Sequence, residues 1–109
     1  MNDTVPMAPP PRADLQAPAG PLFDLGQMVA TRGVLAHLQA HPVTTAQALV
    51  RRHVTGDFGD LSDADRQANL DAIKLGDRIL SAYAVAGERV YVITEHDRSV
   101  TTVLLASEY

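Results

Sequence analysis

The stretch Arg78-Ile79-Leu80-Ser81-Ala82-Tyr83-Ala84-Val85-Ala86-Gly87-Glu88-Arg89-Val90-Tyr91-Val92-Ile93-Thr94 runs on through Glu95-His96-Asp97-Arg98-Ser99 into Val100-Thr101-Thr102-Val103-Leu104-Leu105. It holds three short runs of β-branched, aliphatic and tyrosine residues, parted by two polar breaks. The spacing predicts strands over 78–85, 89–94 and 100–105. Ala86-Gly87-Glu88 makes the first hairpin and residues 95–99 the second. Strands joined by such short links pair antiparallel, so the C-terminal third is expected to be a three-stranded meander. Leu80, Ala82 and Ala84 are expected to face the helices, opposite Tyr91, Ile93, Val103 and Leu105.

Upstream the period changes to that of helices. Thr31 can cap a helix in which Val34, Leu35 and Leu38 share a face, and His41-Pro42 closes it. Thr44 and Gln47 read as a capping box, followed by an Ala46, Leu49, Val50 and His53 stripe and a stop at Gly56. Ser62 caps a third helix, with Asp63 and Asp65 set against the positive end of its dipole. Its stripe is Ala64, Ala68, Ala72 and Leu75, widened by Ile73, and Gly76 ends it. Residues 25–30 form a further extended segment, expected as a fourth strand at an edge. The predicted architecture is α+β: two to three short helices packed on one face of a three- to four-stranded antiparallel sheet.

Six of the seven prolines fall at Pro6, Pro9, Pro10, Pro11, Pro18 and Pro21. Residues 1–21 therefore read as a disordered Pro/Ala-rich tail and 22–109 as a single domain. Pro9-Pro10-Pro11 is a candidate for docking in a partner's groove, although such runs arise easily by chance.

The 109 residues carry 13 Asp+Glu against 9 Lys+Arg, a formal charge of −4. This balance disfavours nucleic acid as the main partner, because phosphate binding needs a basic face. Cysteine is absent, which removes disulfides, thiolate metal sites and cysteine nucleophiles. No apolar run reaches the ~18 residues of a membrane span, and no signal peptide is visible, so the expected address is cytoplasmic without membrane contact. No Walker, dinucleotide or serine-elbow motif occurs, and no cofactor is expected.

Two polar rims can carry chemistry. The first is His53-Val54-Thr55-Gly56-Asp57-Phe58-Gly59-Asp60, in which glycines let carboxylates and backbone approach closely. Its spacing departs from the calcium-loop pattern, and turn formation explains Asp57 and Asp60 equally well. The second is Thr94-Glu95-His96-Asp97-Arg98-Ser99 with Thr101 and Thr102. Together His53, Glu95, Arg98 and Thr102 supply the parts of a metal-independent ribonuclease: a general base, an anion-holding guanidinium and hydroxyls. The competing reading is an ordinary exposed connector. Asp57, Asp60 and Asp97 are the binding candidates of the two rims. His37 and His41 sit four apart without a third ligand and read as surface histidines, and no metal site is expected.

Four strings carry a resemblance. They are Phe23-Asp24-Leu25-Gly26-Gln27-Met28-Val29-Ala30-Thr31, His53-Val54-Thr55-Gly56-Asp57-Phe58-Gly59-Asp60-Leu61, Arg78-Ile79-Leu80-Ser81-Ala82-Tyr83 and the run from Ile93 to Leu105. The chain resembles small proteins of plasmids, phages and integrative elements that bear labels such as "plasmid-related protein" or "type I restriction endonuclease subunit M". Phe58, Arg32 and Ala106 depart from that pattern, where tryptophan, proline and proline are usual. The restriction–modification label does not transfer, since a methyltransferase needs a larger cofactor domain with a glycine-rich loop. The resemblance implies a mobile-element setting and no specific mechanism. The expected function is that of an accessory protein binding a protein partner. The alternative is a small endoribonuclease or toxin-like domain.

Overall fold

The computed structural model describes residues 3–10 and 20–109. Five strands form one sheet: β1 (Thr4–Pro6), β2 (Gln27–Thr31), β3 (Ile79–Val85), β4 (Glu88–Thr94) and β5 (Val100–Leu105), in spatial order β1-β2-β5-β4-β3. Three helices complete the fold: α1 (Arg32–Ala40), α2 (Ala46–Val54) and α3 (Asp63–Leu75). The architecture is α+β, and the C-terminal meander β3-β4-β5 is antiparallel throughout. Its first turn, Ala86-Gly87, has positive φ at both residues, the geometry whose twist suits a two-residue hairpin.

The segment expected at an edge lies inside the sheet instead. β2 pairs parallel with β5, Gln27 opposite Val100 and Ala30 opposite Val103, while β1 pairs antiparallel with its other side. The sheet is thus five-stranded and mixed. Threonine and valine on β5 offer β2 an apolar, strand-forming neighbour, a pairing fixed by distant sequence and so invisible to local pattern. β1 also falls within 1–21, where composition suggested a tail. Asp3 O and Met7 N bond to Arg32 N and Met28 O, which ties this stretch to β2. The same bonds turn the odd-numbered residues of β1 inward, so Thr4 and Pro6 direct their backbone outward, and proline's missing donor falls on the open side. Pro11 and Pro18 lie outside the described residues.

The helix ends follow their local chemistry. Thr31 and Ser62 cap α1 and α3 through bonds from Val34 N and Asp65 N, and His41 ends α1. The cap of α2 falls one residue later than expected: Thr45, not Thr44, accepts from Ala48 N. Gln47 consequently sits one place too early to complete a capping box, and its amide reaches Ala8 O at 3.3 Å.

The core lies between α1, α2 and one sheet face. Val34, Leu38, Leu49, Val50 and Val54 pack with Ala30, Tyr83, Val85, Val90, Val92 and Val103. This reverses the expected side of β3. Leu80, Ala82 and Ala84 turn away from the core, alongside Tyr91 and Ile93, because the hairpin pairs Val85 with Glu88 and brings Tyr83 onto Val90. The helical stripe expected on α3 also shifts. Ala64, Ala68 and Leu75 are exposed, and Asn69 and Ala72 are the buried pair, near Phe58 and Ile79.

Asn69 has a specific task. Its Nδ2 donates to Leu80 O at 2.8 Å and its Oδ1 accepts from Leu80 N at 3.2 Å, so one side chain imitates a neighbouring strand. Residues 58–60 extend this cover through Ala82 N→Phe58 O and Asp60 N→Ala82 O. Gly59 must be glycine: its φ is +76°, and a Cβ would lie 2.0 Å from Ala82 O. The outer rim of β3 at Leu80 and Ala82 is therefore closed.

Gly26, with φ +64°, leads into β2 where a Cβ would lie 2.3 Å from Arg98 O and 2.4 Å from Ser99 O, both main-chain atoms. Gly26→Ala is expected to destabilise by more than about 2 kcal/mol, from the left-handed backbone and the overlap together, read by urea unfolding. Asn69→Ala leaves a backbone N–H and C=O unpaired and should cost about 1–3 kcal/mol, with faster amide exchange at Leu80.

Candidate functional site

The most concentrated polar chemistry surrounds His53, at the end of the α2 core stripe. The histidine is 0% exposed. Its Nδ1 lies 2.6 Å from Ser81 Oγ on β3, and its Nε2 lies 2.9 Å from Thr94 Oγ1 on β4. Thr94 Oγ1 is 2.7 Å from Thr101 Oγ1 on β5, which donates to Leu25 O at 2.7 Å. Proton counting fixes the directions. Thr101 has one hydroxyl proton and gives it to Leu25, so it accepts from Thr94. Thr94 then accepts from His53 Nε2–H, leaving Nδ1 to accept from Ser81. The result is a one-way chain Ser81→His53→Thr94→Thr101→Leu25 around a neutral imidazole. Among the described residues no buried side-chain nitrogen or oxygen lacks a partner.

Phe23 meets the His53 ring edge-on at 5.2 Å, and the Arg98 guanidinium lies 5.8 Å from the other ring of this stack, that of Phe23. Burial, with a smaller contribution from the Arg98 charge, lowers the His53 pKa from 6.5 to about 3. Arg98 itself is committed to the main chain. Its Nη1 donates to Asp77 O (2.6 Å), Glu95 O (3.1 Å) and His96 O (3.3 Å), and its Nη2 to Ala72 O (3.0 Å). It thereby fastens the end of α3 to the β4–β5 turn.

The four residues considered for ribonuclease chemistry are thus arranged as follows. His53, Glu95 and Arg98 lie at one end of the sheet, but His53 is sealed and Arg98 is engaged by four carbonyls. Glu95 is half-buried. Thr102 pairs with Ile93 and lies on the sheet face turned away from His53. His53 and Thr102 therefore share no common surface.

The binding candidates are separate from one another. Asp57 accepts from Arg52 Nε at 2.7 Å and Nη2 at 3.3 Å, and from Gly59 N. The Arg52 hydrogen bond holds its carboxyl below the ordinary range. Arg52 also covers the Tyr83 ring at 4.5 Å, while Tyr83 donates to Asp57 O. Asp60 is exposed, 3.9 Å from Arg89. Asp97 is exposed and accepts from Ser99 N at 3.1 Å, closing a turn. His37, read as a surface residue, is half-buried and donates from Nε2 to Val85 O at 2.7 Å. Among the described residues no cluster of three His, Asp or Glu is placed to hold a metal ion, and no helix is long and apolar enough to cross a membrane.

Sequence reasoning named His53 but missed Ser81, Thr94 and Thr101 as its partners. The available signal was polar residues at inward positions of three adjacent strands. It also missed an apolar groove of about 500 Å³ at the α1–α2 corner, walled by Leu35, Leu38, Pro42, Val43 and Ala46. Val43 there is 75% exposed. No protein-family model, curated protein or solved structure matches the chain.

The unfolded chain takes up a proton at His53 as pH falls below about 6.5, whereas the folded chain resists it down to about 3. The stability contributed by the neutral ring is therefore complete above that window and is lost as pH falls through it. Urea unfolding between pH ~7.5 and ~4 should show a steep loss for the native chain. The slope should be shallower for His53→Gln, whose amide accepts from Ser81 and donates to Thr94 without titrating.

Proposed function

We propose that this chain is a non-catalytic accessory protein of a mobile genetic element that acts by binding another protein. The observation that carries the reading is the engagement of its chemical groups: His53 is 0% exposed and the Arg98 guanidinium donates to four carbonyls. Those groups hold the fold together and are not presented to a substrate. The surface at the α1–α2 corner is apolar and carries no charged lining residue. The net charge of −4 favours a protein over bare nucleic acid. The mobile-element setting rests on the sequence resemblance, and a cytoplasmic place of action goes with it.

The test has two arms. Incubated with RNA in the absence of metal, the purified chain should leave the substrate intact. Tagged and cross-linked in its native host, it should retain one protein in near-stoichiometric amount, displaced by untagged chain. Metal-independent cleavage lost in folded Glu95→Ala and Arg98→Ala variants would overturn the reading in favour of an endoribonuclease.

A further inference from the structure

We infer that His37 and His41, at the C-terminal end of α1, form a two-histidine clamp for a divalent ion of the late first-row transition series, the class that imidazole nitrogens prefer. The site stands independently of the protein-binding reading above. Residues four apart on a helix share a face. The backbone holds this pair although His41 is already the cap residue. His41 N donates to His37 O at 2.9 Å, and Val43 N donates to His41 O at 2.7 Å. The two ring centres are 4.9 Å apart, at an interplanar angle of 50°. Two imidazoles on one ion have ring centres about 4.5–5.2 Å apart, given a metal–nitrogen bond of about 2.1 Å and an angle of about 90–109° at the ion. The observed separation falls inside that range, so α1 and its cap already set the spacing that a chelate requires.

The second observation is the bond that His37 makes on its far side. Its Nε2 lies 2.7 Å from Val85 O. A carbonyl has no proton to give, so Nε2 carries it, and the neutral ring keeps a free lone pair on Nδ1. Metal-ligating histidines give their other ring N–H to a carbonyl or carboxylate in this way, which fixes the tautomer and the ring orientation. Val85 is 4% exposed and sits in the β3–β4 hairpin, so the anchor itself is rigid. Orienting the ring before an ion arrives lowers the ordering cost of binding.

The third observation is electrostatic. The C-terminal end of a helix carries partial negative charge and favours a cation. The last turn of α1 holds no lysine or arginine to occupy that place, and His37 is its sole basic residue. His41 is exposed, so an ion reaches it from solvent. Two protein ligands leave the remaining positions to water, and the ion exchanges readily, unlike one in a closed four-ligand structural site. The other two histidines serve as internal comparisons. His53 is sealed in the core, and His96 lies at the β4–β5 turn, the opposite end of β4 from the hairpin that anchors His37.

The experiment titrates the untagged full chain with zinc chloride, and separately with nickel chloride, read by calorimetry and by nitrogen-15 spectra of the histidine rings. One ion should bind per chain at micromolar concentration. Before zinc the His37 ring should be protonated at Nε2, and on saturation its Nδ1 resonance should move. His41→Asn and His37→Gln should each weaken binding about tenfold or more, because a single imidazole loses the effective concentration of its neighbour. His37→Gln keeps an N–H for Val85 O, so it separates ligation from packing. His96→Ala should bind as the native chain does. Circular dichroism and melting temperature check that each variant stays folded. The inference is overturned by absence of saturable binding at millimolar ion, by native affinity in either folded variant of the pair, by loss of binding in His96→Ala, or by a His37 Nδ1 resonance that saturating zinc leaves in place.

Discussion

The requirement that a fully buried imidazole satisfy both its nitrogens organises this molecule. His53 reaches β3 through Ser81, β4 through Thr94, and β5 and the approach to β2 through Thr101 and Leu25 O. Each hydroxyl has one proton, so the chain of bonds has a single direction and a single register. An unpaired member would carry the desolvation cost of a buried polar group, which makes the set cooperative. Arg98 repeats the principle nearby: one guanidinium satisfies carbonyls from the α3 end, the α3–β3 link and the β4–β5 turn.

Much of this fold is legible because it is local. The three helices, the caps Thr31 and Ser62, the stop at Gly76 and the meander each depend on residues within a few positions of one another. What escapes the sequence is non-local. The pairing of β2 with β5 joins residues more than seventy positions apart, and no short pattern announces it. The inward face of β3 is ambiguous in the sequence because Leu80, Ala82 and Ala84 alternate as regularly as Ser81, Tyr83 and Val85. Only the turn register and the fit of Tyr83 against Val90 distinguish them. On α3, Ala64 and Ala68 are too small to mark a face, while Asn69 earns burial through hydrogen bonds that periodicity does not weigh.

The candidate site was legible in the same partial way. His53, Glu95 and Arg98 lie at one end of the sheet, a placement that the two polar rims leave open in sequence. Residue type, however, says nothing of direction. The same imidazole and guanidinium that would serve acid–base and anion-binding chemistry at a cleft are here turned inward, where they replace apolar packing with fixed geometry. The groove at α1–α2 carried no signal because Leu35 and Leu38 read as ordinary core positions, and the Pro42-Val43 corner as an ordinary connector.

Pro6 on β1, together with Asn69 and residues 58–60 beside β3, gives the sheet two guarded margins. Unprotected strand flanks recruit further chains into cross-β stacks. Proline on one flank and side-chain and loop hydrogen bonds on the other occupy the backbone groups through which such stacks would grow.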